Sequence, residues 1–135
     1  MRVAVSAAGA DLEAQTSPVF GRCPFFIFVD TDTMEFEAVP NEAAGAAGGA
    51  GVQAAQMVGN AGADAVITGN AGPNAFSVLQ AAGIPIYVSQ GGTVRQTVEA
   101  FKAGQLAQVG GATVPPHSGM GGGRGGGRGG RGRSM

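Results

Sequence analysis

The sequence predicts an α/β domain in three layers, a mixed five-stranded sheet with helices on both faces. Three observations predict it. After residue 40, short apolar runs of strand length alternate with segments of helical period, the pattern of parallel strands joined by right-handed crossovers. Before residue 40, two apolar runs are separated only by the turn Asp30-Thr31-Asp32-Thr33, which makes a hairpin. Glycine falls where each helix should stop, at Gly62, Gly83 and Gly104.

Each element has a local reason. Arg2 to Ser6 alternates around Val3 and Val5 and reads as the first strand. Ala7 to Pro24 is a long connection, unusual without a function or a local fold of its own. Phe25 to Asp30 is a continuous apolar run suited to a strand covered on both faces. Glu35 to Val39 alternates like an edge strand with one wet face, and Pro40 and Asn41 end it. The glycine run 45–51 leads into a helix at about Val52 to Asn60, with Val52, Ala55 and Val58 or Gly59 at helical spacing. Ala65 to Thr68 is a short buried strand. Gly69 to Asn74 leads into a second helix carrying Phe76, Leu79 and Gln80. Ile84 to Val88 is the fifth strand, with Pro85 tolerable near its start. Thr93 with Gln96 forms a capping box for a third helix, whose inner face is Val94, Val98 and Phe101.

Strands one, four and five should therefore be parallel, and ligands bind beyond the carboxyl ends of such strands. Four loops should gather at that edge: Ser6 to Pro24, the glycine run before helix one, Gly69 to Asn74, and Ser89 to Thr93. The last three each end at a helix N-terminus, whose free N–H groups and positive dipole end favour an anion.

Composition narrows the class. Of 135 residues, 44% are hydrophobic and 13% charged, enough apolar material for one domain with a modest core. The domain is expected over 1–112. No apolar stretch reaches membrane-spanning length, no signal peptide is evident, and a single cysteine excludes an internal disulfide; a cytoplasmic protein is expected. Residues 1–118 hold four basic and nine acidic groups, a formal balance of −5, while Arg124, Arg128, Arg131 and Arg133 give the end of the chain +4. From residue 113 the composition turns to proline and then to glycine and arginine, with nothing to bury, so a disordered tail is expected.

The loop Ser17-Pro18-Val19-Phe20-Gly21-Arg22-Cys23-Pro24 concentrates the unusual residues. Two prolines around a glycine restrict the backbone and leave one permissive joint. A thiol beside a guanidinium suits a soft metal or an anionic sulfide, because positive charge favours the thiolate. Equally, Cys23 reads as a small apolar residue at a strand entrance. The residues alone leave both readings open. Gly49-Ala50-Gly51-Val52-Gln53-Ala54 matches G-x-G-x-x-A, but it lacks the tight turn from the first strand and the acid about 20 residues on that dinucleotide binding requires. No phosphate loop of the ATPase type exists. The single histidine, His117, reads as a solvated spacer, and Asp11 and Glu13 have no evident partner, so catalysis is the weaker hypothesis. Clustered carboxylates of a nuclease are also missing from the expected strands. The tail lacks the interleaved aromatics that stack on bases, and four charges bind nucleic acid only weakly.

Several stretches together resemble the dinitrogenase iron–molybdenum cofactor biosynthesis family, which includes NifX, the C-terminal part of NifB and small stand-alone members. They are Met1 to Val5, Ser17 to Phe26, Gly49 to Ala55, Ile67-Thr68-Gly69-Asn70-Ala71-Gly72-Pro73-Asn74-Ala75-Phe76, and Gly92 to Arg95 continuing through Ala100 to Leu106. The resemblance runs in order over about 1–106. It implies a ribonuclease-H-like fold and the binding or delivery of a molybdenum- or iron-containing sulfide cluster. One branch, the orange proteins, is similar in size and holds a molybdenum–copper–sulfide cluster without covalent bonds to protein. Family members often carry histidine just before Phe-Gly-Arg, where this chain has Val19, so a ligand role there does not carry over.

The expectation is thus a small, non-catalytic carrier or accessory protein for a metal–sulfide cluster. Molybdenum–copper–sulfide is favoured, with iron–molybdenum or iron–sulfur as the alternative, since an iron–sulfur scaffold usually needs several cysteines. Arg22 would supply charge and Cys23 would touch metal. Asn70, Gly72, Asn74, Gly91, Gly92 and Thr93 would supply donors. Its partners would be the cluster and other cluster-assembly or ATPase proteins, not nucleic acid or membrane, with a monomer or homodimer both open. The rival expectation is a metal-free protein- or nucleic-acid-interaction module acting through the basic tail.

Overall fold

In the computed structural model, which describes residues 1–46 and 48–109, Arg2–Ala7 forms the central strand β1. Its residues Val3 to Ala7 are buried, as a strand covered on both faces requires. Phe25–Asp30 (β2) and Phe36–Pro40 (β3) follow as antiparallel neighbours, then Ala65–Thr68 (β4) and Ile86–Val88 (β5). The sheet order is β3-β2-β1-β4-β5. β1, β4 and β5 are parallel, and β2 runs antiparallel to both β1 and β3. The mixed five-stranded sheet expected from the sequence is therefore present, with its hairpin at one edge. The stretches expected to form the disordered tail, and the boundary at residue 112, lie outside the described residues.

The helices cover both faces. Ala50–Asn60 (α1) and Pro73–Ala81 (α2) lie on one side, where Ala54, Ala55, Val58 and Leu79 pack on Ala4, Phe26, Phe28 and Val66. Val94–Lys102 (α3) lies on the other, where Val94 and Val98 pack on Val3, Val5, Ile27 and Ile67. β1 supplies both cores because successive side chains point to opposite faces. Phe101 is half-buried against Tyr87, ring to ring at 4.9 Å in an edge-on arrangement.

Three details differ from the sequence reading. α1 begins at Ala50 instead of Val52, and its buried face is Ala50, Ala54, Ala55 and Val58. Val52 is rotated away from that face, since residues four apart stack on one side of a helix and 50, 54 and 58 claim it. A 3₁₀ turn, Glu42–Gly45, fills part of the glycine-rich lead-in, started by the Asn41 side chain accepting from the Ala43 N–H. Beyond α3, Leu106 joins the core under that helix, and Gln108 pairs with Tyr87 to cover the free edge of β5. The long connection after β1 has the local fold its length demanded: Ala7 bridges to Thr16, Gln15 to Thr93 and Val19 to Asn70. No helix among the described residues is long and apolar enough to cross a membrane.

Candidate functional site

β1, β4 and β5 end at Ala7, Thr68 and Val88 on one edge of the sheet. β3, two antiparallel steps from β1, runs the same way and ends there too, at Pro40. All four loops singled out in the sequence therefore leave from this edge.

They do not form one site. Ser17 to Phe20 crosses the edge as a ridge lying on Gly69 and Asn70. The Ser6 hydroxyl donates to Ser17 O at 2.7 Å and shares a bond with Thr68 Oγ1 at 2.8 Å, and Phe20 N–H donates to Asn70 O at 3.0 Å. Gly69 sits directly beneath Pro18: a Cβ there would lie 2.9 Å from its Cα and carbonyl oxygen. On one side of the ridge a cleft of about 300 Å³ is lined by Val19, Gly21, Arg22 and residues 49–52 and 72–75. On the other, a cleft of about 230 Å³ lies among Gln15, Thr16, Pro18, Gly69, Ser89, Gly91 and Gly92. Arg22, Gly72 and Asn74 are brought together in the first cleft, Asn70 lies in the ridge, and Gly91 and Gly92 face the second. The expected single convergence is corrected to two clefts.

Thr93 caps α3. Its N–H donates to Gln96 Oε1 at 3.0 Å and its hydroxyl oxygen accepts from Gln96 N–H at 3.1 Å. The capping box read in the sequence forms, and it engages the Thr93 N–H and the hydroxyl oxygen as acceptor at the start of α3.

The first cleft is walled by two helix starts. α1 is preceded by Gly49 in the left-handed region at φ 72°, and α2 by Gly72 with Pro73 at its first position. Neither start has a side-chain cap or an acid in its first turn. The first-turn N–H groups of any helix lack an i−4 carbonyl, so those of Gly51, Val52, Asn74 and Ala75 have none within their own helix. The two starts are close together: a Cβ on Gly51 would lie 3.3 Å from the Ala75 Cβ. Both positive dipole ends thus open on one cleft whose lining has one charged side chain, Arg22, and no carboxylate.

Arg22 is exposed, and its Nη1 donates to Ala44 O and Ala46 O, each at 2.8 Å. Its neighbour Cys23 points the other way and is completely buried. The Cys23 thiol donates to Phe20 O at 3.3 Å, and burial pushes its pKa up to about 11, with hydrogen bonds from the Ala7 backbone and Asn41 side chain opposing the rise. The expected thiolate poised by Arg22 is therefore corrected. The guanidinium turns to the 3₁₀ turn's carbonyls, and Cys23 packs with Phe20 and Phe26 in the core. Among the described residues no group of three or more His, Cys, Asp or Glu side chains could hold a metal ion. The donor set of main-chain N–H groups and one guanidinium fits a preformed anion instead of a bare cation.

Two features of the site are not evident in the sequence alone. The sequence presents Gly51 as part of a flexible lead-in, yet α2 and the arginine loop both approach α1 at this residue: a Cβ on Gly51 would lie 3.3 Å from the Ala75 Cβ, and a Cβ on Gly21 would lie 2.9 Å from Gly51 N. The G-x-G-x-x-A spacing was the signal. Asn41 reads as a strand stop, although asparagine before a glutamate and two alanines is also an N-cap.

Known proteins share the fold. Residues 1–104 match the family model described as dinitrogenase iron-molybdenum cofactor. An uncharacterized protein of Methanocaldococcus jannaschii is 33% identical over 93 residues, 67% of this chain and 79% of that protein. The apo form of the orange protein from Desulfovibrio gigas superposes with a TM-score of 0.80 at 41% identity, over 83% of this chain and 95% of that one. A putative NifB protein from Thermotoga superposes with a TM-score of 0.70 at 38% identity, over 79% and 91%.

Proposed function

This chain belongs to the dinitrogenase iron-molybdenum cofactor family, and from that premise we propose that it is a non-catalytic carrier of an anionic, molybdenum-containing metal–sulfide cluster. The cluster is cargo, received in the cleft between the starts of α1 and α2. One observation carries the reading: two uncapped helix N-termini and the Arg22 guanidinium meet at a single cleft free of carboxylates. Arg22 supplies charge, and the N–H groups of Gly51, Val52, Asn74 and Ala75 supply donors. Each hydrogen bond to a charged ligand contributes about 1.5–3 kcal/mol, so cargo held this way leaves without breaking a metal–protein bond.

Cys23 has a packing role in this reading, and the cluster carries its own sulfide. Likeness to an orange protein supports a molybdenum–copper–sulfide cargo; an iron–molybdenum cargo is the alternative. The lining offers no acid, base or nucleophile in catalytic arrangement, which supports carriage over chemistry. Other cluster-assembly proteins would be its donors and acceptors.

Anaerobic titration with tetrathiomolybdate and copper, followed by visible absorption and amide chemical shifts, tests this. A new visible band with shifts confined to residues 19–22, 49–52 and 72–75 is expected. Absence of uptake, or shifts centred on residues 89–92, would overturn it.

A further inference from the structure

We infer that Asn41 is the positioning residue of the cleft: its carboxamide holds the loop carrying Arg22 at a set distance from the start of α1. The inference deepens the cluster-carrier reading and rests on it.

Asn41 follows β3 and is only 6% exposed, yet both ends of its carboxamide are bonded. Oδ1 accepts from Ala43 N–H at 3.1 Å and starts the 3₁₀ turn. Nδ2 donates to Gly21 O at 3.2 Å and Cys23 O at 2.9 Å, the carbonyls on either side of Arg22, with the Cys23 Sγ a longer third contact at 3.7 Å. Asn41 N–H donates to Pro24 O at 2.9 Å. Arg22 closes the ring from outside through Nη1 to Ala44 O and Ala46 O. Gly21, so held, lies on Gly51 with no space for a Cβ. One buried side chain therefore joins the arginine loop, the 3₁₀ turn and, through Gly21, the first turn of α1.

Capping the turn needs Oδ1 alone. The two Nδ2 bonds, across 20 and 18 residues, are surplus to that task and bear only on the residues flanking Arg22. An anion bound by a guanidinium and two helix starts depends on their mutual distance, because charge-assisted bonds are short and directional. Asn41 sets that distance without touching the ligand.

Asn41→Asp separates the two roles. It keeps the capping oxygen, loses both donors and turns an oxygen toward two carbonyls. We expect tetrathiomolybdate affinity to fall about tenfold, and the Arg22 Nε–H resonance of the ligand-free protein to move. Arg22→Ala should cost a similar factor. The double variant should be weaker than either single by no more than about threefold, since both act through one placement. Wild-type affinity and an unmoved Arg22 resonance in Asn41→Asp would reduce Asn41 to a cap and overturn the inference. Additive losses, about a hundredfold together, would overturn it too. Should the buried charge prevent folding, Asn41→Ser keeps a capping oxygen and is too short to span both carbonyls. If the wild-type protein takes up no tetrathiomolybdate, the carrier reading fails, and the ligand-free Arg22 resonance still decides whether Asn41 places it.

Discussion

At neutral pH the Cys23 thiol is protonated, because burial pushes its pKa up to about 11 from an ordinary 9.0. The folded state holds this proton more tightly than the unfolded one. Its contribution is therefore fully present below pH 9 and is lost as pH rises from about 9 to 11, amounting to about 2–3 kcal/mol at 1.36 kcal/mol per pH unit. Denaturant melts at pH 6, 7.5 and 10.5 should show equal stability at the first two and a decline at the third. A Cys23→Ala variant should remove that decline. It should cost about 1–2 kcal/mol at neutral pH for the lost packing and leave cluster uptake unchanged. Loss of uptake in this variant would restore the thiol as a ligand. Arg22 behaves in the opposite way. Arg22→Lys keeps the charge, but an ammonium bonded to both Ala44 O and Ala46 O retains one N–H for the cleft where the guanidinium retains three, so uptake should fall with little change in unfolding midpoint.

The five strands and three α-helices are recognisable from their own residues, whereas the 3₁₀ turn Glu42–Gly45 is not. Valine at 94 and 98 gives α3 its buried stripe, and the Thr93–Gln96 box gives its start, so both could be read locally. α1 starts two residues before the expected Val52 because its buried face is mostly alanine, whose small side chain leaves a weak periodic signal. The cleft exists because α1 has glycine where two other segments come close. Gly21→Ala should push the arginine loop off Gly51, lowering stability by about 1–3 kcal/mol and abolishing uptake together. Gly92→Ala is the control at the second cleft. Its φ of 87° and a Cβ position 2.6 Å from Gln96 Oε1 would disrupt the capping box. We expect a loss of about 1–2 kcal/mol, read as a lower melting temperature, with the affinity for tetrathiomolybdate retained.

At the scale of the whole molecule, the matched region ends at residue 104 and the four tail arginines lie at 124 and beyond. Deleting residues 119–135 should leave cluster uptake unchanged and shift folding stability by less than about 0.5 kcal/mol; calorimetry and the same titration on the shortened chain check both. Uptake that vanished with the tail would move the binding determinant out of the cleft. The parallel set of strands one, four and five, the hairpin at one edge, the helices on both faces and the edge at which the loops gather were all determined by the sequence itself. Apolar runs, turn residues and caps act over a few neighbours, and the handedness of crossovers does the rest. Only the tertiary structure decided that the Ser17–Phe20 ridge splits this edge into two clefts, that Cys23 faces the core while Arg22 faces solvent, and that Asn41 ties the arginine loop to the turn before α1. Those outcomes depend on contacts such as Ser6 with Thr68, 62 residues apart, or Pro18 on Gly69. Close packing between distant segments leaves no periodic trace in the chain, because each partner is chosen by the shape the other presents after folding.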